Sequence, residues 1–171
     1  MNTSKHLSDS DKLIPACEIY IVYNNSEVLM FKRSADSKLF PNYLIGPGGH
    51  IDEGEDPMSA VIRETFEETG ITLTPEQITL KVLSFHHHLN RGETWIEYIF
   101  RADVNKKPQT SNTAEGTSLW VDINDLEKSE NIFPTLKPDL EHILSASSGV
   151  KYSASSWEDF RLVKENTNIS N

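Results

Sequence analysis

The stretch GPGGHIDEGEDPMSAVIRETFEETGI, Gly46 to Ile71, decides how the rest of this chain is read. It crowds Glu64, Glu67 and Glu68 together beside Arg63. The segment carries the punctuation of a helix over 57–69. Asp56 suits the N-cap, Pro57 the first turn and Gly70 the C-terminal end. At roughly 100° per residue, Met58, Val61, Ile62, Thr65, Phe66 and Thr69 fall on one arc, the expected core face. Arg63, Glu64, Glu67 and Glu68 fall on the other. Residues three and four apart on a helix are neighbours, so the three carboxylates point to one side.

Carboxylates at that spacing raise one another's pKa or recruit a cation. A ligand set made only of oxygens suits Mg²⁺, or Mn²⁺, and not zinc. Arg63 is the built-in counter-charge that can hold a carboxylate in one orientation. The bland alternative is a solvated helix face. Such faces normally intersperse lysines, and this one has none. It also follows a Gly-Gly turn and an acidic loop.

Outward from this helix the chain is ordinary in composition. Its 171 residues are enough for one domain, with 37% hydrophobic and 25% charged residues. The net charge of −10, from 26 acidic and 16 basic residues, argues against long nucleic acid as a partner. It leaves room for a small phosphate ligand whose charge is bridged by divalent cations. The N-terminal MNTSKHLSDSDK lacks the apolar core of a signal peptide, and no run approaches membrane-spanning length. The single cysteine, Cys17, excludes an intramolecular disulfide and a four-cysteine zinc site, and fits a reducing, cytoplasmic compartment. Its apolar surroundings suggest a core residue, with a catalytic thiol as the alternative.

The expected elements mix strands and helices without regular alternation. PACEIYIVYNNSEVLMFKR reads as two strands turning at NNS. LIGPGGHI is apolar and then glycine-rich, so the backbone there turns or approaches something closely. ITLKVLSFHHHL and TWIEYIFRADV read as a hairpin, SLWVDI as a short strand, NDLEKS as a short helix, and TLKPDLEHILSAS as an amphipathic helix. The expected division is a polar tail over 1–13, one domain over 14–146, and a serine-rich extension over 147–171 of unclear structure. The order of elements is mixed α/β, and not that of a doubly wound sheet.

The spacing of the opening stretch is that of a known signature. Gly49 is followed after five residues by Glu55, and after seven more by Arg63 and Glu64; then come Glu67, Glu68, Gly70 and Ile71. This reproduces the Nudix box, with Thr65 where an apolar residue is usual. A threonine still packs through its methyl group. The chain therefore resembles the Nudix hydrolases. MFKRSADSKLFPNYLIGPGGHI before the box and AEGTSLWVDINDL after it are similar to MutT-type members.

The resemblance implies an α/β/α sandwich around a central mixed sheet, and an enzyme that hydrolyses a diphosphate linked to a further moiety. It implies Glu67 and Glu68 as principal ligands of Mg²⁺ (or Mn²⁺), with the Gly49 carbonyl beside them. Glu64 becomes a ligand or the base for the attacking water, and so does Glu115. Arg63 becomes an orienting group paired with Glu55, and Arg33 a contact to substrate phosphate. Gly48 and Gly70 complete the turn and the helix end.

The substrate is less legible. MutT-type members suggest a nucleoside triphosphate, and possession of all the box carboxylates argues against a non-catalytic nucleotide sensor. A nucleotide sugar or another nucleoside diphosphate derivative is the alternative within enzymes, and an unrelated α/β domain with an acidic helix is the bland one. The asparagine that reads the base in guanine-selective members has no counterpart after Phe133; Asn131 stands just before it. In the run of three histidines, His86 and His88 share one face of a strand and His87 takes the other. His86 and His88 are candidates to line a substrate cleft, against a zinc pair or a plain polar strand end. Trp95, Tyr98 and Phe40 are candidates for base stacking or for the core. Nothing in the sequence speaks to the oligomeric state.

Overall fold

The computed structural model describes residues 12–170. The stretch 1–11, read above as part of a polar tail, lies outside the described residues. Lys12 and Leu13, assigned to the same tail, instead open the first strand.

Among the described residues the chain builds one sheet of nine strands with three α-helices. Strand β1 (Lys12–Tyr23) turns at Asn24–Ser26 into β2 (Glu27–Arg33). After a loop come the short β3 (Leu44–Ile45) and β4 (Gly48–His50). Helix α1 is Pro57–Thr69. The hairpin of β5 (Ile78–His88) and β6 (Glu93–Val104) follows, then β7 (Gly116–Asp122), α2 (Ile123–Lys128) and α3 (Leu140–Leu144). The chain closes with β8 (Val150–Glu158) and β9 (Arg161–Ser170).

The main strand order is β3-β2-β1-β6-β5-β8-β9, with β4 added to β1 and β7 to β2. The pairs β1–β6 and β5–β8 are parallel and the rest antiparallel. The sheet is therefore mixed. Helix α1 covers one face, where Ala60 and Val61 pack with Cys17, Ile19, Leu29 and Phe100. Helices α2 and α3 cover the other, where Leu126, Leu140 and Ile143 pack with Tyr20, Val28 and Met30. This is the expected α/β/α sandwich. Among the described residues no helix is long and apolar enough to cross a membrane.

Two further expectations are corrected, and the extension left open gains a structure. Phe66, placed on the core face of the helix, is 57% exposed. The late amphipathic helix is shorter than read: Leu140–Leu144 is helical, and 134–139 form turns. Pro138 accounts for this, since it has no N–H to donate and disfavours helical geometry in the residue before it. The serine-rich extension is a hairpin whose first strand lies parallel to β5 along Val82–His88.

One detail of the sheet positions the site. β2 pairs with β1 only from Ile21 to Tyr23. Beyond that the strands part, β3 continuing along β2 and β4 along β1. Gly46 and Pro47 span the fork. A methyl group on Gly46 would stand 2.7 Å from the Ile19 carbonyl oxygen and 2.8 Å from the Tyr20 ring. The Pro47 carbonyl accepts from the Ile19 N–H at 2.9 Å, which fastens the fork to β1.

Candidate active site

A cleft of about 850 Å³ opens at this fork. Its floor is Ala16, Cys17 and Glu18 of β1 with Gly48 and Gly49 of β4. The acidic edge of α1 forms one wall.

The helix is placed by its caps. Asp56 Oδ1 accepts from the Met58 and Ser59 N–H groups at 2.9 and 3.1 Å, and its pKa is lowered by the Ser59 hydroxyl and these amides. Gly70 ends the helix at φ 74°, donating to the Phe66 carbonyl at 2.8 Å. Thr65, the departure within the signature, is fully buried, and its hydroxyl bonds back to the Val61 carbonyl at 2.5 Å. The core thus accepts the hydroxyl without an unpaired donor.

Arg63 organises the acidic edge. It holds Glu55 in a two-pronged pair at 3.0 and 2.8 Å, and reaches Glu64 at 2.8 Å and Glu67 at 3.4 Å. Its remaining donor meets the His50 carbonyl at 3.1 Å. The Glu55 and Glu64 carboxylates raise the guanidinium pKa further, and the same hydrogen bonds lower that of Glu55. Glu64 lies directly under Gly49, where a methyl group would come within 2.6 Å of its carboxyl carbon. The Gly49 carbonyl accepts from the Cys17 thiol at 3.7 Å.

Glu68 accepts from the Gly48 N–H at 2.9 Å. Burial pushes its pKa up to about 8; the Gly48 bond and Arg33 oppose the rise, and Glu64 and Glu115 add to it. Glu115 and Arg33 stand across from it, sharing a side pocket of about 260 Å³ with Ser34 and Glu68. Arg33 Nε donates to the Leu39 carbonyl at 3.1 Å. Glu67 is the most exposed of the helix carboxylates.

Among the described residues, no three acidic, histidine or cysteine side chains already converge as a metal-binding group. Glu64 is turned to Arg63 and Glu68 to Gly48. The donor set nonetheless fits a hard divalent cation: every donor is an oxygen, and one carboxylate is driven toward its neutral form by burial and like charge.

The histidines separate. His88 lines the cleft, and burial, then the nearby Arg91, lowers its pKa. His86 does not line it. That residue is 2% exposed, paired with Glu97 at 3.0 Å and bonded to the Ser155 hydroxyl at 2.7 Å. Its candidacy for substrate contact is corrected on that ground: Ser155, from the C-terminal hairpin, covers it. Cys17 is fully buried and its thiol pKa is pushed up to about 12, chiefly by burial, which removes the nucleophile reading. Trp95 lines the cleft beside His50, their rings 5.2 Å apart; Tyr98 packs against the core. Asn131 is exposed on the loop after α2.

Among the carboxylates of the cleft that sequence reasoning missed are Glu18 and Glu97. Each is a lone acid in an apolar strand, in ACEIY and WIEYIF, and a charge so placed was the available signal. Burial, then Glu97, pushes the Glu18 pKa up to about 8, and the Tyr20 hydroxyl donates to Glu18 at 2.7 Å. Also missed were Arg91, Phe133, Thr135 and Phe160.

Comparison with known proteins follows the same lines. The NUDIX domain family model matches residues 13–142. The m7GpppN-mRNA hydrolase NUDT17 of Danio rerio is 31% identical over 90 residues, covering 46% of this chain and 30% of that protein. The 8-oxo-dGTP diphosphatase of Escherichia coli (strain K12) is 45% identical over 56 residues, covering 33% of this chain and 41% of that protein. The matches thus span less than half the length of these relatives. The crystal structure of a MutT protein from Bacillus halodurans superposes with a TM-score of 0.75 at 21% identity, over 91% of this chain and 97% of that one.

Proposed function

The chain belongs to the NUDIX domain family, and on that premise we propose that it hydrolyses a nucleoside triphosphate to the monophosphate and pyrophosphate, using Mg²⁺ or Mn²⁺. The observation that carries this reading is Glu68. It is a buried carboxylate at the head of a cleft, held by a backbone N–H and crowded by Glu64 and Glu115. The names of the relatives, an m7GpppN-mRNA hydrolase and an 8-oxo-dGTP diphosphatase, support a nucleotide that carries a chain of phosphates.

In this reading Glu67 and Glu68 hold the metal, with Glu64, Glu115 and the Gly49 carbonyl as further oxygen donors. When bound, the ion neutralises phosphate charge and lowers the pKa of water. A water oxygen bonds to phosphorus, the bridging P–O bond breaks, pyrophosphate leaves, and the water's proton passes to a carboxylate. Two carboxylates compete for that proton. Glu64 is fixed by Arg63, whereas Glu115 has no side-chain hydrogen bond among the described residues. Arg33 meets substrate phosphate, a role its guanidinium fork suits. Positioning and charge neutralisation are what phosphoryl transfer asks of a protein.

The test is a panel of nucleotides with and without Mg²⁺, read as released pyrophosphate and phosphate. Turnover is expected only with the metal, and Glu67→Gln and Glu68→Gln should each lower it by about 10²-fold or more. Full activity in both variants would overturn the metal assignment. Phosphate or a sugar phosphate as product would favour a nucleoside diphosphate derivative.

A further inference from the structure

The cleft has an aromatic lining as well as its carboxylates: Trp95, which packs on His50, and Phe133 and Phe160, with His88 and Arg91 beside Phe160. Phe160 belongs to the turn between β8 and β9, outside the residues matched by the family model. It reaches the cleft because β8 runs parallel to β5, so the far ends of both hairpins lie side by side. The two turns are cross-braced: Asn90 donates to the Asp159 carboxylate, and the Leu89 N–H to the Trp157 carbonyl at 2.9 Å.

The backbone at this turn is costly. Asp159 and Phe160 sit at φ 47° and 60°, the left-handed region that a two-residue hairpin turn fills with asparagine and glycine. A bulky aromatic there is strained where a glycine would not be. The residue it meets is strained in the same way: Phe40, at φ 50°, packs edge-to-face on Phe160 with ring centroids 4.7 Å apart. Phe40 also braces Phe133 at 4.8 Å. The Arg91 guanidinium lies 5.7 Å from the Phe160 ring centre, and the His88 ring 5.4 Å. Two loops therefore hold aromatic rings in unfavourable backbone conformations against one another, and Phe160 of the pair lines the cleft. Strain kept at a ligand-facing position is a mark of function.

We propose that Phe160 is a specificity-determining residue, the aromatic wall against which the planar base of the nucleotide stacks while its phosphates lie at the carboxylate end. The proposal rests on the nucleotide reading above and deepens it. A ring face tolerates any base, so the wall selects nucleotides over base-free polyphosphates without choosing among bases.

The experiment separates the two claims. KM and kcat are measured with GTP, and Ki with inorganic tripolyphosphate as a competitor, for the wild type, Phe160→Gly and Phe160→Tyr. Phe160→Gly should raise KM for GTP by about tenfold, the loss of one base–aromatic stack. It should leave kcat and the tripolyphosphate Ki within about twofold. It should leave Tm unchanged or raise it, because glycine relaxes the turn. Phe160→Tyr should restore KM. An unchanged KM, or a rise in KM and Ki together, would overturn the wall. Equilibrium dialysis with GTP and with tripolyphosphate reads the same difference if the protein binds nucleotide without turnover. In that case the wall stands or falls by itself, and the hydrolase reading alone fails.

Discussion

Gly49 has no room for a methyl group, because the Glu64 carboxyl carbon would lie 2.6 Å from it. That carboxylate is the end of a flexible side chain, so Gly49→Ala displaces Glu64 without breaking the backbone. The displaced group then pulls against Arg63, which also holds Glu55 and Glu67. A shift of about 1 Å at a reacting group can cost about 10²-fold in rate. We expect Gly49→Ala to lose about that much kcat/KM while its thermal unfolding stays within a few degrees of wild type, as read by steady-state kinetics and calorimetry. Activity near the wild-type level would mean that Glu64 has no required position. Gly48 is constrained differently. A methyl group there would lie 2.1 Å from the Cys17 carbonyl oxygen, a clash with backbone.

The C-terminal hairpin belongs to the sheet as fully as any other element. Trp157 of β8 is 3% exposed, its indole N–H bonds to the Ser155 hydroxyl at 2.6 Å, and its ring stands against His86. Trp157→Ala should destabilise the protein by about 3–5 kcal/mol, the range for a buried aromatic truncation, measured by urea denaturation. A loss under about 1 kcal/mol would make the hairpin an appendage. This element was also the least legible in the sequence, for a physical reason. Its inward positions before Trp157 are polar, Ser153 bonding to Asp139 and Ser155 to His86, while the outward ones include Tyr152 and Ala154. Alternation of hydropathy, the usual strand signal, is inverted there. Helix α1 was legible because its caps, its period and its charges agree. Only Phe66 broke the pattern, since the core face ends before reaching it. Glu64, Glu67, Glu68, Glu115 and Arg33 were named from spacing and resemblance, and all five line the cleft. Of the aromatic lining, Trp95 and His88 were named from the sequence, whereas Phe133 and Phe160 were not, because they come from a loop and a turn far from those strands in the chain.

At the scale of the whole molecule, the buried carboxylates tie stability to pH and, in the function proposed above, to metal. Burial is the first cause of the raised Glu68 pKa, and Glu18 is raised in the same way. A carboxyl group whose folded pKa lies above its unfolded value contributes stability that is full below about 4.5, and loses it as pH rises toward about 8. A metal needs the carboxylate deprotonated, so it competes with the proton. The rise in Tm caused by Mg²⁺ should therefore grow between pH 6 and pH 9. At one hundred times Kd the ligand contributes about 2.7 kcal/mol, or roughly 5–11 °C for a chain of this size. Differential scanning fluorimetry across that range checks it, and a shift independent of pH would remove Glu68 from the ligand set. The topology has a consequence in time as well. Strand β1 pairs in parallel with β6 along its whole length, from Lys12 opposite Glu93 to Tyr23 opposite Val104. During synthesis, a ribosome adding about 5–20 residues per second must make the 81 residues from Asn24 to Val104 before that pairing can close. For roughly 4–16 s the apolar run Ala16–Val22 is in the cell without its long partner.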